Sequence, residues 1–153
     1  MAALTPRRAT PEAFARFGAV VPAPTAPPTA ADATFSYWSD LAHYRIDGET
    51  EIGLCTVFEQ DAPRVTWMER HDHTPEFLIP ADGPFLLPVM DGDGEVEIFR
   101  VEPGEAVVIG DGVWHSACHP VGAASATYFV VFRRGTPRED VFKQDVGPLD
   151  VAV

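Results

Sequence analysis

Cysteine is scarce: the 153 residues hold two, Cys55 and Cys118, with no CxxC spacing. That excludes a disulfide-framed scaffold and a zinc ribbon, and it suggests a reduced, cytoplasmic setting. Basic side chains are also few, 11 Lys+Arg against 23 Asp+Glu, for a formal charge of −12. A nucleic-acid or anionic-membrane surface needs a basic stripe to displace counterions, so the expectation is no nucleic acid and no membrane. Long apolar runs are missing as well. The N-terminal MAALTPRRATPEAF has bases but no signal-peptide core, and no stretch is long enough to span a bilayer. What is present is a 46% hydrophobic chain, enough for one real core and cramped for two.

Two regions are expected. Residues 1–34 form a short helix and an arm. Thr10 can cap, Pro11 suits the first helical position, Phe14 and Phe17 share a face, and Gly18 suits the exit. The following VVPAPTAPPTAADAT is too rich in Pro and Ala to bury much and reads as an extended connector. Residues 35–153 form the main domain. It carries short β-prone runs, FSYW, EIGLCTVFE, RVTWMERH, EFLI, PFLLPVM, EVEIFRV, EAVVI and ATYFVVF, broken by DG, PG and GDG turns. Such spacing after one short helix predicts an all-β fold, a β-sandwich or jelly-roll barrel with room for a small ligand.

Two motifs carry chemistry. In RVTWMERHDH, strand alternation places Val65, Trp67, Glu69, His71 and His73 on one face and Arg64, Thr66, Met68, Arg70 and Asp72 on the other. Val65 and Trp67 mark the first face as buried, so both histidines should point inward, where an unpaired polar group is costly and a metal or hydrogen-bond partner is expected. Glu76 follows a Thr-Pro step that can bend its carboxylate to the same centre. In PGEAVVIGDGVWHSACHP, a GDG turn delivers His115 from a different strand. Three imidazoles and a carboxylate suit a divalent transition metal, with Ni, Zn, Mn and Fe all admissible.

These residues resemble the cupins, small double-stranded jelly-roll barrels with two motifs on facing strands. The first cupin motif is HxH, three or four residues, Glu, six residues, Gly. His71, His73, Glu76 and Gly83 reproduce it with two residues before the Glu. In the second motif Gly104, Gly112 and His115 fall into register, with Gly110 at the Pro position and His119 at the Asn position. TPEAFARFG, ERH, FLIP, GVWH, HP and RRG make the chain similar to the ureidoglycolate lyase family of cupins along nearly its whole length. That resemblance implies a dimeric enzyme of purine and allantoin breakdown that splits ureidoglycolate into glyoxylate and urea, often with nickel. It would be a carbon–nitrogen lyase of the amidine-lyase class. Family members usually have Gln where this chain has Glu76, and they lack His73.

On this reading His71, His73, Glu76 and His115 hold the metal, and Glu69 or His119 moves the proton. Arg70, if a bulge turns it inward, or Arg100, on the face of Val96 and Ile98, clamps the substrate carboxylate. Trp114 walls the pocket. Two rivals use the same ligands: an iron or manganese dioxygenase or isomerase, and a barrel that binds a small molecule without turning it over.

Overall fold

Runs of β-branched and aromatic residues four to nine long, punctuated by turn-forming Gly, Pro and Asp, are too short to sustain helices and pair into sheets instead. The computed structural model describes residues 2–153. In chain order it has β1 (Arg7–Arg8), α1 (Pro11–Phe14), β2 (Gly18–Val21), β3 (Ala30–Ala31), β4 (Ser36–Tyr37), β5 (Thr50–Phe58), β6 (Arg64–Arg70) and β7 (Glu76–Pro80). There follow β8 (Phe85–Met90), β9 (Val96–Val101), β10 (Ala106–Ile109), β11 (Trp114–His115), β12 (His119–Pro120), β13 (Ser125–Arg133), α2 (Thr136–Glu139) and β14 (Phe142–Asp150).

Seven strands form one sheet, in the order β1-β9-β8-β11-β6-β14 with β12 also on β8, and five form the other, β2-β10-β7-β13-β5. The mostly antiparallel sheets enclose a core of Phe85, Leu87, Val89, Phe99, Val101, Val107, Ile109, Leu78 and Tyr128. A second cluster, Met68, Leu86, Met90, Ile98 and Val65, is covered by both chain ends, Leu4 and Val151. Leu86 and Met90 belong to this cluster while Phe85, Leu87 and Val89 belong to the main core, so β8 is buried at every residue. A strand covered on both faces reads as a continuous apolar run, and FLLPVM does.

Residues 4–21 are woven into the barrel. Thr10 caps α1 by accepting the Ala13 N–H at 3.1 Å. Phe14 and Phe17 then pack on Phe99, with ring centres 5.2 and 5.8 Å away, burying area worth about 1.5–3 kcal/mol per ring. At Gly18 (φ +151°) the chain enters β2 so close to β10 that a Cβ would sit 1.8 Å from the Val108 carbonyl oxygen, so glycine alone fits. β1 joins one sheet and β2 the other, which ties the N-terminal segment to both. β14 ends one sheet opposite β1 and β5 ends the other opposite β2, and residues of β5 and β14 line the mouth of the barrel. Among the described residues no helix is long and apolar enough to cross a membrane.

Candidate metal centre

Strand register brings the first polar pair together. His115 on β11 lies directly across from Glu69 on β6. The GDG turn before β11 is tied to the other motif, because the Gly112 N–H donates to the His71 carbonyl at 2.7 Å. Gly112 has φ +73°, which glycine adopts without strain. Glu76, the first residue of β7, completes the group. Its Oε2 lies 2.6 Å from His115 Nε2 and 3.3 Å from His71 Nε2.

Each ring is oriented from behind. His71 Nδ1–H donates to the Asp140 carbonyl at 2.8 Å, and His115 Nδ1–H to the Val113 carbonyl at 3.0 Å. Both bonds place the remaining lone pair on Nε2, facing the cluster, as in histidines that hold metals. The two Nε2 atoms and Glu76 Oε2 are buried, and no contact among them is aligned as a hydrogen bond. Buried polar atoms that converge without a proper partner call for a ligand, and two imidazoles with carboxylates are a donor set for a divalent transition metal. One atom each from Glu69, His71 and His115 lie within 4.8 Å of one another.

Electrostatics agree with this geometry. Burial pushes the Glu76 carboxyl up, but the charges and hydrogen-bonding reach of His115 and His71 outweigh it and hold the group at about 2. Burial likewise pulls both histidines down, and Glu76 more than compensates, leaving each above its ordinary value. A dication held there would supply the positive charge that this buried carboxylate otherwise draws from the two imidazoles, and its binding would displace any proton they carry.

The cluster forms the floor of a two-lobed cavity. A lobe of about 410 Å³ is lined by Glu51, Gly53, Val130, Phe132, Val141 and Lys143, and one of about 260 Å³ by Cys55, Trp67, Leu78, Ser116 and Tyr128. Glu69, Glu76 and Val130 border both lobes.

Several expectations need correction. His73 does not reach the cluster: β6 ends at Arg70, and the Asp140 carboxylate captures the N–H groups of Asp72 and His73 at 3.0 and 2.9 Å. Alternation stops there, and the exposed His73 borders a separate hollow with Arg133, Arg134 and Glu139. Arg70 points away from the cavity, ion-paired with Asp72 at 3.0 Å and stacked on Trp114 and Phe142 at 4.8 and 5.2 Å. Trp114 is therefore the floor under Arg70 and part of the second core, not pocket wall. Arg100 is committed to Glu102 at 2.5 Å. His119 pairs with Leu86 through β12 and lines a small cavity with Glu59, Gln60 and Pro63.

Burial pulls the His119 imidazole below its ordinary value. The folded protein therefore resists protonating it, whereas the unfolded chain takes the proton at about 6.5. Stability should fall as pH drops through and below that value. His119→Gln is expected to flatten that acid limb of the melting temperature, and an unchanged limb would remove His119 from the account.

Sequence reasoning missed Lys143 and Asp140. Lys143 is the only lysine among the 11 basic residues, a signal that was there to read. Asp140 follows the RRGTPRE turn and carries no pattern of its own.

A two-sheet jelly-roll barrel with histidines and carboxylates gathered on the floor of its cavity has the cupin fold. The sequence pattern of the ureidoglycolate lyase family matches residues 1–150, and the chain belongs to that family. No curated protein matches it in sequence. Solved structures of similar shape include an oxalate decarboxylase of Bacillus subtilis, with 18% identity, 65% of this chain, 24% of that one and a TM-score of 0.47. A Lactobacillus farciminis oxalate decarboxylase in a formate complex has 14% identity over 62% of this chain and 26% of that one, TM-score 0.48. Peruvianin-I from Thevetia peruviana latex, a cysteine peptidase by its description, has 19% identity over 65% of this chain and 57% of that one, TM-score 0.49. The chain thus spans about a quarter of the oxalate decarboxylases it matches.

Proposed function

We propose that the protein is a metal-dependent lyase that splits ureidoglycolate into glyoxylate and urea, a carbon–nitrogen lyase of the amidine-lyase class serving purine breakdown. The observation that carries this reading is the convergence of His71, Glu76 and His115 beneath a cavity sized for a small acid, in a chain of this family.

The substrate is a hemiaminal, with a hydroxyl and a urea nitrogen on one carbon beside a carboxylate. His71, His115 and Glu76 would hold a divalent transition metal, Ni, Zn, Mn or Fe. When bound, that ion supplies Lewis acidity toward the hydroxyl oxygen. Glu69, where the two lobes meet, takes the hydroxyl proton and returns it to the departing urea nitrogen. The C–N bond breaks onto nitrogen as the oxygen's electron pair closes the aldehyde of glyoxylate, and neither oxidant nor water is consumed. Val130, Phe132 and Val141 provide an apolar wall that limits competing solvent. Asp140 steadies the site twice, by its carbonyl on His71 and its carboxylate on the following turn.

The free Cys55 and Cys118 support a reduced, cytoplasmic location. A homodimer is part of the same proposal. The outer face of β5, β13 and β7 carries Leu54, Phe129 and Ile79 side by side, with Ile52 and Phe58 also exposed. Sedimentation at twice the 16.6 kDa chain mass would support it, and a monomer would not.

The test of the activity is to incubate metal-analysed protein with ureidoglycolate and follow glyoxylate. Release no faster than the spontaneous rate, with metal bound, sinks the lyase reading and leaves the metal centre standing.

A further inference from the structure

The larger lobe is walled by acids. Glu51, Glu69 and Glu76 line it, against a single lysine or arginine, Lys143. A small carboxylate approaching the floor meets three negative groups and this one cation. Lys143 lies on β14 opposite Glu69 in the ladder, and its ammonium sits 4.9 Å from the centre of the Trp67 ring. Among the described residues, no carboxylate is close enough to form an ion pair with it. The aromatic face thus supports a cation that the protein does not otherwise neutralise, at the entrance to the cavity.

We propose that Lys143 is the specificity-determining anchor for the substrate's carboxylate and that it restricts the cavity to singly charged acids. One ammonium neutralises one carboxylate. A second carboxylate on the ligand would face Glu51, whose own support is the Gly135 N–H at 2.9 Å, a neutral donor that leaves its charge intact. Lysine suits the task better than arginine: a compact point charge at the tip of a flexible stem reaches a small anion without the planar, two-pronged geometry of a guanidinium. Arg70 and Arg100 are both engaged elsewhere, so neither competes with Lys143 for this role. The inference rests on the reading that the cavity takes a small carboxylate, and it does not require that the ligand be cleaved.

The experiment uses metal-loaded wild type, Lys143→Met and Lys143→Arg. Calorimetric titration is done with glycolate, with neutral glycolamide and with doubly charged tartronate, alongside steady-state kinetics on ureidoglycolate. In Lys143→Met, glycolate affinity is expected to fall about tenfold or more and KM for ureidoglycolate to rise in step, with kcat little changed. Glycolamide binding, metal content and melting temperature stay as in wild type, because Lys143 is exposed and supports no core. Lys143→Arg recovers most of the loss, and wild type binds tartronate more weakly than glycolate. An unchanged glycolate affinity in Lys143→Met, an equal loss for glycolamide, or tartronate binding as tight as glycolate overturns the proposal. The two readings separate cleanly. Lysine-dependent glycolate binding without ureidoglycolate cleavage sinks the lyase and keeps the anchor, and cleavage with a KM indifferent to Lys143 does the reverse.

Discussion

Replacing His115 with alanine is expected to leave the purified protein without stoichiometric metal and to bring ureidoglycolate cleavage down to the spontaneous rate. The ring supplies one of two imidazole nitrogens in the cluster, and no third imidazole stands near to replace it, since His73 and His119 line other cavities. A second effect follows in the metal-free protein. Without His115 the buried Glu76 carboxylate loses the nearer of its two partners, and leaving a buried charge unpaired costs about 3–5 kcal/mol. Burial, the largest influence on Glu76, then pushes its carboxyl upward with less to oppose it. The variant should therefore be least stable near neutrality and recover relative to wild type as acid protonates Glu76. Adding Glu76→Gln should restore much of the stability and none of the metal. Elemental analysis and denaturant melts check both halves. Metal at one per chain in His115→Ala would dismiss the ligand assignment. His73→Ala is the control and should change neither quantity, because its exposed ring lies outside the cluster.

The contrast between His71 and His73 shows what could be read in the amino-acid pattern and what could not. Strand parity is local, so alternation places Trp67, Glu69 and His71 on one face wherever the strand continues. It says nothing about where the strand stops. That depends on Asp140, almost 70 positions away, whose carboxylate takes the next two backbone N–H groups and turns the chain. The eight runs rich in β-branched and aromatic residues all contain strands, most of them because one face is buried and burial leaves a compositional mark, whereas FSYW holds only an exposed two-residue strand. β14 left none. FKQDVGPLD is polar, holds Gly and Pro, breaks register between Asp145 and Leu149, and is exposed at most positions, as an edge strand can be. Lys143 was missed with it. Arg70 and Arg100 drew attention as cations near the motifs, but a charge near a site in sequence is as easily consumed by a neighbour, and both were.

Glu69 and Glu76 flank the same two histidines, yet their substitution by glutamine should have opposite signatures. Glu76 is nearly inaccessible, lies within 3.3 Å of both Nε2 atoms and is held ionised down to about 2, as suits a permanent ligand. Glu69 is more open, with its side chain about a quarter exposed, and it stands 4.0 Å from His115 Nε2 where both lobes of the cavity can reach it. A group that must accept a proton from one substrate atom and give it to another has to touch substrate and move, and Glu69 has the access that Glu76 lacks. Glu76→Gln is thus expected to release the metal and lose activity with it. Glu69→Gln should keep about one metal per chain and a near-normal KM, while kcat falls by roughly 10²–10⁴. Metal analysis with kinetics on the same samples decides between the roles. Loss of metal in Glu69→Gln would make Glu69 the ligating carboxylate, as its closeness to both imidazoles permits, and would move the search for the proton carrier to Lys143 or to solvent within the mouth.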